Sequence, residues 1–229
     1  MDRLCFDYGH GGVDCGADYH ERKESNDVLS LGKAVAAEVR RHGVTVEETR
    51  TSDTQLSLTD RTNFENRNTY GYFISFHRNA VQPEKARGVE TYTYLNAGVK
   101  SKGLAEKIQT SLVALGFTDR GVKEANYYVL RETKAPAVLI EIGFIDNSGD
   151  NALFDSKQNE IIKALAKAIL AQMGIDYVEA SPPSEPQSTV DQTLYRVMAG
   201  SYSVRENAEN QVQKLKNAGF DATIMLFNK

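Results

Sequence analysis

Four side chains able to bind metal or transfer protons stand where a layered fold would bring them together. His10 follows the apolar segment RLCFDY, and His77 lies in the apolar segment YFISFHRN. Glu141 ends the run VLIE, and Glu24 opens an amphipathic segment. In open α/β sheets, ligands bind at the carboxyl ends of parallel strands, so side chains there are placed for function. A hydrogen-bonded histidine at a strand edge is the alternative for either histidine.

Two histidines and one glutamate form a common ligand set for a catalytic zinc ion, which keeps a fourth position for water. No short motif such as HExxH joins His10, Glu24 and His77. Spacing alone therefore leaves a second interpretation of Glu24, as an acid that stabilises a helix N-terminus. Burying Glu141 at the end of a core strand costs free energy unless another group compensates the charge.

The elements that must position these residues follow from the hydrophobic pattern. Val28, Leu31 and Val35 recur at three- and four-residue steps, which predicts a helix. Ser57 and Asp60 have the spacing of a capping box, which opens a second helix. The pattern predicts an α/β fold with a mostly parallel or mixed twisted sheet flanked by helices. The predicted strands cover 3–8, 44–50, 71–80, 88–95, 127–131 and 137–143, and the predicted helices cover 24–42, 57–68, 98–115 and 159–174.

Composition excludes several classes of function. Of the 229 residues 41% are hydrophobic and 25% charged, as in an ordinary globular protein. The net charge of −4, without a Lys/Arg cluster, argues against nucleic acid as a partner. No apolar run reaches the ~20 residues of a membrane-spanning helix. The first residues lack the features of a signal peptide, so we expect synthesis in a cytoplasm. Cys5 and Cys15 are predicted to be free thiols.

The sequence predicts three parts. Residues 1–177 form the α/β domain that carries the candidate site residues, and residues 178–192 form a linker that carries three of the five prolines. Residues 193–229 form a small β-α-β unit, in which Ser203 and Glu206 have capping-box spacing. A unit this small buries too little surface to be stable alone.

Several motifs, in order along residues 3–173, resemble one family. They are DYGHGGVDCGA, KESNDVLSLGKAVAAEV, TRTSD, LTDRTNFEN, YFISFHRNA, GVETY and VLRETKAPAVLIEIGFIDN. Together they resemble the zinc-dependent N-acetylmuramoyl-L-alanine amidases of the amidase-3 type, which include bacterial autolysins and phage endolysins. The resemblance implies that His10, Glu24 and His77 hold one Zn²⁺ and that Glu141 is the catalytic carboxylate.

The resemblance implies hydrolysis of the amide between N-acetylmuramic acid and L-alanine in peptidoglycan, with Glu141 acting as base and then as acid. The enzyme would lyse or remodel the cell wall after release from the cytoplasm, as a phage endolysin or a mother-cell autolysin. A zinc peptidase that cuts the stem peptide is one alternative. A non-catalytic wall-binding protein is the other.

Some positions differ from the residues that are usual in this family. Tyr8 and Cys15 replace usual prolines, and Phe76 replaces a usual isoleucine. Arg78 stands where a small residue is common, so substrate preference is in question. We expect Arg78 to contact substrate, and Asn79 either to contact substrate or to orient a ligand.

Two further polar residues have predicted structural roles. Arg61 is predicted to form a salt bridge across its helix, and Asn147 to cap a turn.

The C-terminal segment YRVMAGSYSVRENAENQVQKLKNAGFDATI resembles a SPOR-type repeat. This resemblance implies binding to peptidoglycan glycan strands. One strand-helix-strand copy is visible, whereas the full module has about two. An uncovered strand edge favours pairing, so we expect a homodimer through this unit. A partly folded remnant is the alternative.

Overall fold

The computed structural model describes residues 3–179, 198–220 and 222–225. These residues form strands and helices that alternate along the first part of the chain. The strands are β1 (Arg3–Tyr8), β2 (Asp18–Tyr19), β3 (Arg22–Lys23), β4 (Thr45–Glu48), β5 (Tyr72–Asn79), β6 (Val89–Thr93), β7 (Asp119–Glu124) and β8 (Ala137–Phe144). The helices are α1 (Glu24–Arg40), α2 (Leu58–Asn66), α3 (Val99–Val113), α4 (Tyr128–Arg131), α5 (Ser148–Ser156), α6 (Gln158–Met173) and α7 (Arg205–Asn217).

Six of these strands form one sheet in the order β4-β1-β5-β8-β6-β7. Strands β4, β1, β5 and β8 run parallel, whereas β6 is antiparallel to β8 and parallel to β7. The carboxyl ends of β1, β5 and β8 therefore lie at one edge of the sheet, next to the beginning of β6. This mixed sheet with flanking helices confirms the predicted fold class.

Helices cover both faces of the sheet. Helices α1, α3 and α6 bury the larger apolar cluster, in which Val28, Leu104 and Leu165 are fully buried. Fully burying such a side chain stabilises the fold by about 1.5–3 kcal/mol. The smaller cluster, on the face of α2 and α4, contains Phe73 and Leu139. Strands β5 and β8 therefore pack against apolar side chains on both faces of the sheet.

Several elements differ from the sequence prediction, among them the two-residue strands β2 and β3, which were not predicted. The segment YYVLR, predicted as a strand, contains the short helix α4, which buries Val129 and Leu130 beside β8. Strand propensity is weak enough for tertiary packing to override it. Strand β7 was not predicted, because the edge segment DRGVKE is polar and mostly exposed. Helix α5 was also not predicted; Asn147 caps it by accepting a hydrogen bond from the Asp150 N–H, which confirms the capping role of Asn147.

The chain divides into two compact units, residues 1–179 and 180–229. In the second unit, α7 begins after Val204 without a side-chain cap, so the predicted capping box of Ser203 is wrong. Residues 198–204, 220 and 222–225 contain no strand, and the other predicted strand positions, 194–197, 221 and 226, lie outside the described residues. The predicted linker also lies outside them from residue 180 onward. Among the described helices, none combines the length and apolar character needed to cross a membrane.

Candidate active site

The loop after β1 places His10 at the sheet edge in a constrained conformation. His10 has a φ of 59°, a left-handed conformation that is uncommon outside glycine. Arg61 donates to the His10 carbonyl at 2.8 Å, and Arg50 donates to the Gly9 carbonyl at 2.8 Å. A Cβ at position 9 would lie 2.3 Å from Cε1 of His77, so only glycine fits there. The two arginines and the glycine bring the two histidines together.

Arg61 is a structural residue, but its partner differs from the prediction. Its Nη1 lies 2.8 Å from Oδ1 of Asp7, in β1, and both side chains are buried. Thr49 and Ser75 donate their hydroxyl groups to the same carboxylate. The salt bridge therefore links α2 to β1 and does not cross the helix.

His10, Glu24 and His77 converge on one point. Nε2 of His10 lies 3.2 Å from Oε2 of Glu24, and Nδ1 of His77 lies 2.9 Å from Oε1 of Glu24. One ligand atom from each residue lies within 4.8 Å of the other two. A Cβ at Gly16 would fill this space, 2.6 Å from both Glu24 Oε2 and His10 Cδ2. Two imidazole nitrogens and a carboxylate around a space that excludes a side chain fit a metal ion.

Hydrogen bonds orient these ligands. Asp14 Oδ2 lies 2.9 Å from Nδ1 of His10, which leaves Nε2 of His10 available as a ligand. The backbone N–H groups of Ala17 and Arg78 each donate to Glu24 at 3.0 Å. Sequence reasoning missed Asp14, although its position four residues after His10 in the glycine-rich loop was the available signal.

In the absence of a metal ion, the charges at the site favour protonated histidines, and a bound metal ion would replace these protons. Burial opposes protonation of His10, but hydrogen bonds and charges of Glu24 and Asp14 outweigh it and raise its pKa to about 9. The same balance of burial against Glu24 raises the pKa of His77. Burial opposes ionisation of Glu24, but the two histidines hold its pKa well below its usual range. Histidines must lose these protons to bind a metal, so metal and protons compete for the site.

Glu141 is the half-buried carboxylate beside these ligands. It is the direct neighbour of His77 in the pairing of β5 with β8. Its Oε2 is buried and has no hydrogen-bond partner in the described part of the chain. Burial, opposed by the charge of His77, raises the pKa of Glu141 to about 7. An unpaired carboxylate with this pKa is suited to accept and return a proton near neutral pH.

A groove of about 470 Å³ opens beside His10, His77 and Glu141. Leu58 and Tyr127 line it and are 53% and 42% exposed. Exposed apolar and aromatic groups beside acid–base residues are typical of a binding site for an organic substrate.

The two residues expected to contact substrate have different surroundings. Arg78 is 2% exposed; its Nη1 lies 2.7 Å from Oδ2 of Asp27, and its guanidinium stacks on Phe154. The expected contact of Arg78 with substrate is therefore wrong, because neighbouring residues of a strand point to opposite faces and Arg78 points away from the face of His77. Asn79 is half-buried and donates to Glu90 at 3.1 Å; its role stays a prediction.

Glu90 is a buried carboxylate next to Glu141 that sequence reasoning missed. It is the register neighbour of Glu141 in the pairing of β6 with β8 and is 2% exposed. Burial opposes its ionisation, but hydrogen bonds from Lys123, Tyr92 and Arg120 hold its pKa below its usual range. The motif GVETY contains this residue, but no sequence pattern connects it to Glu141.

The fold and the site define an α/β protein with a candidate metal centre and an unpaired carboxylate at the carboxyl edge of its parallel strands. The sequence model of the amidase-3 N-acetylmuramoyl-L-alanine amidases matches residues 4–171, and a SPOR domain model matches residues 163–226. The chain belongs to the amidase-3 family of N-acetylmuramoyl-L-alanine amidases.

Individual relatives agree with this assignment. The sporulation-specific N-acetylmuramoyl-L-alanine amidase of Bacillus subtilis (strain 168) is 33% identical over 99% of this chain and 85% of its own length. The catalytic domain of CwlV, an N-acetylmuramoyl-L-alanine amidase from Bacillus (Paenibacillus) polymyxa var. colistinus, has a TM-score of 0.71 at 31% identity, covering 77% of this chain and 100% of its own. An N-acetylmuramoyl-L-alanine amidase from Clostridium difficile 630 has a TM-score of 0.72 at 31% identity, covering 75% of this chain and 96% of its own.

Proposed function

We propose that this protein hydrolyses the amide bond between N-acetylmuramic acid and L-alanine in peptidoglycan. The observation that carries the proposal is the unpaired buried oxygen of Glu141 beside the His10–Glu24–His77 set. Membership of the amidase family supports the choice of bond. The groove beside Glu141 provides the space for substrate.

Zinc is the metal that fits the ligands best, since two imidazoles and one carboxylate are a common set for catalytic zinc. His10, Glu24 and His77 would hold it, with Asp14 fixing the orientation of His10. When bound, Zn²⁺ would polarise the scissile carbonyl group and lower the pKa of a water molecule.

Glu141 supplies the proton transfers. In its ionised form it accepts a proton from the attacking water, and it then donates that proton to the alanine nitrogen as the C–N bond breaks. Because Oε2 of Glu141 has no competing hydrogen bond among the described residues, it is free for both steps. A group of this kind contributes a factor of roughly 10²–10⁴ to the rate.

Digestion of purified peptidoglycan, with and without a chelator, tests the proposal. We expect chelator-sensitive release of alanine amino groups without new reducing sugar ends. Release of other amino termini would replace the amidase with a stem-peptide peptidase. No release from any wall type would leave a non-catalytic wall-binding protein.

We also propose that the C-terminal unit binds the wall and forms a homodimer. The SPOR match supports wall binding, and tethering would raise the effective concentration of substrate. Helix α7 has no fully buried residue, and Phe220 and Met225 nearby are more than half exposed, which supports pairing of two chains. A monomer in light scattering at micromolar concentration would contradict the dimer. Cytoplasmic synthesis and later release to the wall stay predictions.

A further inference from the structure

Two cations converge on the carboxylate next to Glu141. Nε of Arg120 lies 2.5 Å from Oε1 of Glu90, and Nζ of Lys123 lies 2.7 Å from the same oxygen. Asn79 and the hydroxyl group of Tyr92 donate to the other oxygen, Oε2. Glu90 is therefore fully hydrogen-bonded, and one of the two cations is in excess of what its charge requires.

The excess charge is accessible. The side chains of Arg120 and Lys123 are 35% and 39% exposed, whereas that of Glu90 is 2% exposed. Arg120 uses only Nε, and Lys123 only one hydrogen bond, among contacts to the described residues. The remaining donors of Arg120, at Nη1 and Nη2, form the planar pair of N–H groups that binds a carboxylate best. The cluster of Glu90, Arg120 and Lys123 thus presents a net positive charge with free donors.

This cation cluster lies on the same face of the sheet as the proposed catalytic carboxylate. Residues two apart on a strand share a face, so Glu141 lies on the face of Leu139 and Glu90 on the face of Tyr92. Leu139 and Tyr92 both belong to the smaller apolar cluster, and Tyr92 is the register neighbour of Lys123. Strands β8, β6 and β7 therefore carry Glu141, Glu90 and the cations in adjacent positions.

The distance between Glu141 and the two cations matches the length of a short peptide segment. Neighbouring strands lie roughly 5 Å apart, so β7 lies roughly 10 Å from β8. Both cations reach back to Glu90 on the strand between them, which places their charges less than two strand spacings from Glu141. An extended peptide advances about 3.5 Å per residue, so two residues cover roughly 7 Å, which is within this limit.

The chemistry of the substrate decides what binds there. In the proposed substrate the sugar is neutral, and the lactyl carboxyl group is consumed in the scissile amide, so free carboxylates occur only on the peptide side. We propose that Arg120 and Lys123 bind a free carboxylate on the residue that follows L-alanine in the stem peptide. This inference rests on the proposed function and assigns the leaving peptide to the β6–β7 side of the site.

Two matched soluble substrates test the inference. Both contain N-acetylmuramic acid, L-alanine, a γ-linked D-glutamyl residue and a third residue that ends in a carboxamide. In one substrate the D-glutamyl α-carboxyl group is free, and in the other it is a carboxamide, so only one carboxylate distinguishes them. The excess positive charge of the cluster, acting together with the free donors of Arg120, predicts a KM about tenfold lower for the free carboxylate.

The test variant is Lys123→Met in the full chain. It removes the excess charge, while Arg120 still neutralises Glu90, so no buried carboxylate is left unpaired. We expect the ratio of the two KM values to fall from about ten to near one. Lys102→Met is the matched control, because Lys102 is an equally exposed lysine whose ion pair with Glu124 does not involve Glu90. The control should keep the wild-type ratio, and Lys123→Arg should restore it.

Binding of both substrates to the full-length Glu141→Gln variant, measured by calorimetry, provides a readout without turnover. Equal affinities for the two substrates, or a preference that survives Lys123→Met, would overturn the inference. If neither substrate is cleaved by the wild-type protein, the proposed function fails. A carboxylate preference in calorimetry, abolished by Lys123→Met, would even then support the binding site, and its absence would overturn it.

Discussion

Glu141 and His77 are direct neighbours across the parallel strands β8 and β5. Nδ1 of His77 forms a hydrogen bond with Glu24, whereas Oε2 of Glu141 has no hydrogen-bond partner among the described residues. One side chain of the pair is thus held in a ligand set, and the other is free to move a proton. This difference between adjacent positions separates metal binding from proton transfer.

The first prediction concerns the free carboxylate. Glu141→Gln keeps the shape of the side chain but removes its ability to accept a proton, so kcat should fall by roughly 10²–10⁴. Metal content and melting temperature should stay at wild-type values, because Glu141 is outside the ligand set. Glu106→Gln, at an exposed position on α3, is the control. Turnover at the wild-type rate in the Glu141 variant would remove this residue from the mechanism.

The second prediction concerns pH and the metal-free protein. The pKa of His10 is about 9 in the folded protein and about 6.5 in an unfolded chain, so its protonation stabilises the fold. This contribution is complete below about pH 6.5 and is lost as pH rises through about 9. The free energy of unfolding of the metal-free protein should therefore decrease between these values, and less so in His10→Gln. Metal affinity should change in the opposite direction, increasing with pH.

Denaturant titrations and calorimetric metal titrations at the two pH values check both trends. An unfolding free energy that does not change between them, or a metal affinity that does not depend on pH, would contradict the proton–metal competition described above.

The third prediction concerns the carboxylate behind His10. Asp14→Ala removes the hydrogen bond to Nδ1 of His10, so metal affinity should fall about 10–100-fold. Asp53→Ala is the matched control, since Asp53 accepts a hydrogen bond from the Gly12 N–H in the same loop without touching a ligand. Competition with a chelator of known affinity measures both. Equal losses in the two variants would indicate a general effect on the loop.

The fourth prediction concerns the buried pair of Asp7 and Arg61. Arg61→Met leaves the carboxylate of Asp7 without its cation, which should lower the free energy of unfolding by about 3–5 kcal/mol. Burial raises the pKa of Asp7, but Arg61, Thr49 and Ser75 outweigh this effect and lower it. A lowered pKa contributes stability above the unfolded value of about 3.9, which is lost as pH falls through the folded value.

In Arg61→Met this acid-induced loss of stability should begin at a higher pH than in the wild type. Denaturant unfolding across the acid range measures it, with Arg67→Met, at the exposed end of α2, as the control. An unchanged acid transition would show that the pair does not hold Asp7 ionised.

The sequence by itself determined most of the helices and strands and the candidate catalytic residues. Apolar spacing predicted α1, whose residues Val28, Leu31 and Val35 are all fully buried. The alternation of strands and helices predicted the fold class. The nearly continuous apolar runs of several strands predicted that helices cover both faces of the sheet. His10, Glu24, His77 and Glu141 were candidates because each stands at or near the end of a predicted element, and the family resemblance gave each of them a role.

Only the tertiary structure decided which of these residues meet and what surrounds them. Arg78 follows His77 directly, but the alternation of the strand buries it against Asp27. Glu90 and Glu141 are 51 positions apart in the chain and become neighbours only because β6 pairs with β8. Local sequence patterns indicate which face of an element is apolar. Strand order and register result from packing of the whole sheet, and they decide which distant residues come into contact.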